Sequence, residues 1–188
     1  MSDADPYAVL VAPLNATGIP YMVTGAHAAS MYGEMRFTED LDVVMQVNRG
    51  DAKRLHAVFH APAYYIAPLE AIEAEAARDV HGHFNIMHNE TSLRMDVYVA
   101  GREASAKDEF ERRTSRIIRG ETVWFTSPET LIVSKLRYVR AGGGDHHVRD
   151  IAGMLRVSGD RMDHVLLERT IHASRLDGEW ERVPKPAR

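Results

Sequence analysis

Gly25-Ala26-His27-Ala28-Ala29-Ser30-Met31-Tyr32-Gly33-Glu34-Met35-Arg36-Phe37-Thr38-Glu39-Asp40-Leu41-Asp42-Val43-Val44 is the stretch on which the fold turns. An apolar strand, Ile19 to Val23, runs into a glycine turn and a short helical segment, and then into a second strand with aspartates at i and i+2. Alternate side chains of a strand share a face. Asp40 and Asp42 therefore point one way, while Leu41, Val43 and Met45 point the other. Two carboxylates converging on one spot repel each other and resist desolvation, and a divalent cation is the usual remedy.

A third carboxylate follows the same logic. In Leu93-Arg94-Met95-Asp96-Val97-Tyr98-Val99 the apolar phase is Leu93, Met95, Val97 and Val99, which leaves Asp96 on the opposite face of a strand. If that strand neighbours the one carrying Asp40 and Asp42, the three acids form a hard-oxygen site suited to magnesium.

With these residues in place, the chain resembles the nucleotidyltransferases. Tyr32-Gly33-x-x-Arg36-x-Thr38-x-Asp40-Leu41-Asp42 is similar to their AbiEii-type branch, which includes toxins of toxin–antitoxin and phage-abortive systems. Phe84-Asn85-Ile86, then Ser127-Pro128-Glu129-x-Leu131-Ile132-x-x-Lys135-Leu136, then Arg149-Asp150-Ile151 extend the resemblance over roughly residues 18 to 155. It implies magnesium or manganese held by Asp40, Asp42 and Asp96, and a nucleoside triphosphate whose nucleotidyl group passes to a hydroxyl. Asp96 would also draw the proton from that hydroxyl. Gly25, Ala26, Lys135 and Asp150 would bind the nucleotide in a cleft between the sheet and the C-terminal helices. One position departs from the pattern: Ala26 stands where Ser or Gly is common and offers a phosphate no hydroxyl, although backbone N–H groups at the start of a helix still attract an anion.

At 188 residues and 45% hydrophobic content the chain can bury one sizeable core. The absence of cysteine excludes disulfides, thiolate metal sites and cysteine nucleophiles. No stretch has the length of a membrane span, and Met1 to Pro6 does not read as a signal peptide, so a cytoplasmic location without membrane contact is the expectation. A formal charge of −4 argues against a general nucleic-acid coat. Arg112, Arg113, Arg116 and Arg119 cluster before a hairpin, but solvated surface charge is the plainer reading of them.

The expected organisation is α+β: a nucleotidyltransferase-like mixed sheet flanked by helices over 1–126, a C-terminal helical subdomain over 127–182, and a frayed tail over 183–188. Helices are expected near 6–16, 26–33, 49–59 and 69–77. Strands are expected at 19–24 and 40–47 and through much of 64–100, with a hairpin over 117–125. Ser127 before Pro128 reads as a helix N-cap, and Asp145 and Asp160 as caps of later helices.

Lys135 supplies evidence independent of the resemblance. On a helical wheel it falls near the middle of an apolar arc made by Leu131, Ile132, Leu136, Tyr138 and Val139, and a buried ammonium needs a partner. It either snorkels, pairs with a structural acid, or reaches a nucleotide phosphate. Asp150 lies off the stripe made by Val148, Ile151, Ala152 and Leu155, so a solvated position and a role orienting Lys135 both stay open. His81-Gly82-His83, His88 and His146-His147 show no set of three or four converging zinc ligands. Asp145-His146-His147 resembles the Asp-His-His phosphoesterases, whose other aspartate motifs are missing here. His27, beside Gly25, is either a substrate contact or a surface residue. Three readings follow. The first is a nucleotidyltransferase acting on RNA (a transfer RNA end among the candidates), on a protein or on a small molecule such as an aminoglycoside, with an antitoxin protein as partner in the toxin case. The second is a catalytically silent module of the same fold, and the third a metal phosphohydrolase.

Overall fold

A computed structural model describes residues 4–35, 38, 40–79 and 82–185. Arg36, Phe37 and Glu39 of the quoted stretch, Val80, His81, 1–3 and 186–188 lie outside the described residues. A π-helical turn (Tyr7–Val11) leads into α1 (Ala12–Thr17), β1 (Tyr21–Val23), α2 (Gly25–Tyr32), β2 (Asp40–Met45), α3 (Asp51–Val58), β3 (Tyr64–Ile66) and α4 (Leu69–Ala76). Then come β4 (His83–His88), β5 (Arg94–Val99), α5 (Ala104–Glu111), β6 (Thr114–Ile118) and β7 (Glu121–Phe125). The rest is helical: α6 (Pro128–Arg140), α7 (His146–Ser158), a 3₁₀ turn (Gly159–Arg161), α8 (His164–Ala173) and α9 (Asp177–Glu181). The chain divides into two compact units, Met1–Thr24 with Thr38–Phe125, and Gly25–Phe37 with Thr126–Arg188.

The first unit is built on a seven-stranded mixed sheet of order β3-β4-β5-β2-β1-β7-β6. β2 pairs with β5, and β1 with β7, in parallel; the other neighbours are antiparallel. The alternation in β2 and β5 sets which face is buried. Leu41, Val43, Met45, Met95 and Val97 are fully buried, together with Ile86 of β4, Leu55 of α3 and Ile72 of α4. Each such side chain contributes about 1.5–3 kcal/mol relative to exposure. A one-residue slip would move these five apolar side chains to the opposite face and drive Asp42 and Asp96 into the core, so the register is strongly specified. α5 was not expected from the sequence. Its one buried side chain is Phe110, which leaves no apolar stripe to read.

The second unit gathers α2 with α6 to α9. Ser127 caps α6 as expected, its hydroxyl accepting from the Thr130 N–H at 3.2 Å. α2 is tied at its end by two hydrogen bonds: Tyr32 donates its hydroxyl to the Thr126 carbonyl at 2.8 Å, and the buried Ser158 donates to the Tyr32 carbonyl at 2.6 Å. Gly33 allows the chain to pass α7 closely, since a Cβ there would lie 2.9 Å from the Met154 backbone nitrogen. Two caps differ from expectation. Asp145 precedes α7 without a capping side-chain hydrogen bond, and Asp160 lies in the 3₁₀ turn. The cap of α8 is Asp163, whose carboxylate accepts from the Leu166 N–H at 2.9 Å, the three-residue reach a cap requires. The tail expected to fray from 183 is packed at its start: Val183 is buried, and the Lys185 ammonium lies 4.9 Å from the centre of the Trp180 ring.

Candidate active site

In the first unit, the parallel register of β2 and β5 sets Asp42 directly opposite Asp96, and Asp40 opposite Arg94. On the other side of β5, Asn85 of β4 lies opposite Asp96. Directly opposed residues share a face of the sheet, so three carboxylates, one amide and one guanidinium occupy the face away from the buried Leu41, Val43, Met95 and Val97. The juxtaposition that the alternation could only pose as a condition is present in the fold.

The like charges are already balanced in part. Arg94 Nη2 donates to Asp40 Oδ2 at 2.8 Å and lies 3.1 Å from Asp96 Oδ2. His83 Nε2 stands 3.7 Å from Asp96 Oδ1, and its ring lies 5.0 Å from that of Tyr98. The Asp96 side chain is only 15% exposed, against 47% for Asp40 and 43% for Arg94. Arg94 was not singled out from the sequence, and His83 entered there only among the histidines weighed as zinc ligands. The signal for Arg94 was available, because a residue two before Asp96 in a strand shares its face.

Carboxylate oxygens are the donors a hard divalent cation takes, so the chemistry of the acid face fits magnesium or manganese. As the side chains stand, no three acid or imidazole groups among the described residues are gathered closely enough to share one ion.

In the second unit, Lys135 of α6 is 4% exposed and donates from Nζ to Asp150 Oδ2 of α7 at 2.7 Å. The two side chains are 5% and 10% exposed, so the pair is almost dry. That excludes both the solvated position for Asp150 and snorkelling for Lys135. Next to Asp150 a cavity of about 250 Å³ opens among Ala29, Glu34, Met35, His146, Arg149 and Gly153. Glu34 is engaged by Arg156 at 2.7 Å. Gly25 begins α2 at φ +64°, a conformation costly for residues with a Cβ. Ala26 is buried, which gives its small size a packing reason. Of the histidines, His147 stacks on Tyr138 with ring centroids 5.2 Å apart and touches His146 at 4.0 Å, and His88 Nδ1 bonds the Thr91 hydroxyl at 2.9 Å. These are packing and turn contacts. The predicted site residues thus fall in both units: Asp40, Asp42 and Asp96 share one face of the sheet in the first, and Gly25, Ala26 and the Lys135–Asp150 pair belong to the second.

No protein-family model and no curated protein matches the chain. Solved structures do. ANT(2")-Ia in complex with adenylyl-2"-tobramycin is 14% identical, with a TM-score of 0.57 over 89% of this chain and 95% of that one. An antigenic nucleotidyltransferase-like protein from Paracoccidioides brasiliensis is 17% identical, with a TM-score of 0.52 over 95% and 92%. The fold is that of the nucleotidyltransferases. The lincosamide antibiotic adenylyltransferase LnuA, lincomycin-bound, is similar at 11% identity and a TM-score of 0.50, over 82% of this chain and 98% of that one. At such identities the likeness speaks for the fold, and it does not single out the AbiEii-type branch.

Proposed function

We propose that the chain transfers a nucleotidyl group from a nucleoside triphosphate to a hydroxyl, with loss of pyrophosphate. The observation that carries this reading is the direct opposition of Asp42 and Asp96, with Asp40 on the same face, in a nucleotidyltransferase-fold sheet. Asp40, Asp42 and Asp96 are the residues that would hold magnesium or manganese, which when bound neutralises charge developing on the transferred phosphoryl group. Asp96, the acid that is 15% exposed, accepts the proton of the attacking hydroxyl, a role that requires hydrogen-bond reach of that oxygen. Gly25 and Ala26 present the backbone N–H groups at the start of α2 to the phosphates. Lys135 supplies positive charge for the triphosphate, and Asp150 fixes its ammonium.

For the acceptor we favour a small molecule bearing hydroxyls. A net charge of −4 opposes extended contact with nucleic acid, and two similar structures carry adenylyl-tobramycin or lincomycin. The toxin role, an antitoxin partner and a transfer RNA acceptor rest on the AbiEii resemblance alone.

The test is transfer of label. Purified protein is incubated with each labelled triphosphate, manganese or magnesium, and cell extract, and incorporation is followed in small-molecule, protein and RNA fractions. Asp96→Asn is expected to reduce transfer by about a hundredfold or more while nucleotide binding falls much less. Triphosphate binding without label in any fraction would identify a silent module. Equal labelling by the parent and Asp96→Asn would remove Asp96 as the base.

A further inference from the structure

We propose that Arg94 is a built-in counter-ion that masks the acid face, so that a divalent cation enters by displacing its guanidinium. The inference rests on the nucleotidyl-transfer reading only for the claim that this face takes such a cation.

The position of Arg94 is set by the sheet and is not an accident of a long side chain. Its backbone is held between two strands, opposite Asp40 of β2 and Met87 of β4. From there a single nitrogen, Nη2, bridges Asp40 Oδ2 at 2.8 Å and Asp96 Oδ2 at 3.1 Å, two of the three acids at once. Charge-assisted contacts of this length are the means by which like charges can be kept together without an added ion. The guanidinium therefore sits among the oxygens that an incoming cation would need.

The same geometry makes the mask removable. The Arg94 side chain is 43% exposed, and the whole contact lies on the face away from the packed core, so the guanidinium can swing to water without moving a strand. Its Nε is buried and makes no hydrogen bond among the described residues, so the resting arrangement leaves part of the group unsatisfied. Asp40 and Asp96 are two carboxylates on one guanidinium, a charge imbalance that a divalent ion answers better than a monovalent group does. Asp96, at 15% exposed against 47% for Asp40, gains more than Asp40 from either cation.

The probe is Mn2+ alone, followed by calorimetry and by the loss of the free-ion electron paramagnetic resonance signal. Arg94→Met should bind Mn2+ about tenfold more tightly than the parent, because two charge-assisted contacts no longer compete. Arg94→Gln, which keeps reach and a donor but no charge, should do the same and serves if the Met variant does not fold. Arg94→Lys should stay near the parent affinity. In chelator the Met and Gln variants should melt below the parent, and Mn2+ should raise their melting temperatures by more than it raises the parent's. Mn2+ affinity equal to or weaker than the parent's in both neutral variants would overturn the mask while leaving the carboxylate site standing, provided Asp42→Asn abolishes binding. No Mn2+ binding by parent or variants would overturn the mask and the metal reading together. Tighter binding in the neutral variants with no nucleotide transfer by the parent would uphold the mask and remove the enzyme.

Discussion

Two charge pairs, one in each unit, solve the same problem under different conditions. Asp40 and Arg94 meet at 2.8 Å with side chains 47% and 43% exposed, whereas Lys135 and Asp150 meet at 2.7 Å with side chains 5% and 10% exposed. The distances are nearly equal, so length says little about what each pair is worth. Burial decides it. In water-exposed surroundings the Coulomb gain is screened and either partner can leave at small cost; in the helical unit both charges are nearly withdrawn from water, and losing the opposite charge is costly. The open pair is suited to exchange with an arriving ion, and the closed pair to holding α6 against α7 and keeping the Lys135 ammonium in place.

The largest expected effect breaks the closed pair. Lys135→Met keeps the volume of the stem and removes the ammonium from a nearly buried carboxylate, which should destabilise the protein by about 3–5 kcal/mol, the range for removing one partner of a buried ion pair. Lys135→Met combined with Asp150→Leu should recover most of that loss, because a matched apolar pair leaves no charge stranded. Urea unfolding of the two variants checks both statements. A loss under about 1 kcal/mol for Lys135→Met would place the pair with ordinary surface ion pairs.

The counterpart on the acid face should be small. Asp40→Asn loses one contact with Arg94 but also relieves repulsion from Asp42, so stability should change by no more than about 0.5 kcal/mol. The same unfolding assay reads it. A large loss would mean that the acid face, like the Lys135 pair, is structural, and the contrast between the two units would collapse.

What the sequence disclosed follows the range of the signal. The faces of β2 and β5 were legible because alternation is local: Leu41, Val43, Met45, Met95 and Val97 announce which side is buried, and the acids fall on the other. That Asp42 stands opposite Asp96 was not legible, because β2 and β5 are far apart in the chain and register is fixed by pairing and not by pattern. Lys135 was legible as a buried cation in need of a partner. Its partner was not, since the wheel that places Asp150 off the apolar stripe scores hydrophobicity alone and is blind to an acid that is buried because it is paired. α5 was missed because one anchor, Phe110, makes no periodicity, and the cap of α8 was set three residues too early, at Asp160, where the next carboxylate, Asp163, makes the bond.

The smallest expected effect probes the first unit away from its acids. The Glu75 carboxylate of α4 accepts the backbone N–H of His83 at 2.9 Å, tying the helix to the first residue of β4, and it also meets Arg78 at 3.3 Å. The His83 N–H, and to a lesser degree Arg78, hold its pKa below the ordinary value of 4.5. A carboxyl whose folded pKa is depressed contributes stability that is present above the unfolded pKa and is lost as pH falls through the folded one. Glu75→Gln keeps an oxygen that can accept the same N–H and removes only the charge, so it resembles the protonated glutamate. The parent should therefore be slightly more stable than Glu75→Gln at neutral pH, and the difference should shrink toward zero as pH is lowered below 4.5. Comparing the two proteins at each pH cancels the titration of every other group. A difference that is flat through the carboxylate range would mean that the charge on Glu75 contributes nothing, and that the tie between α4 and β4 is the hydrogen bond alone.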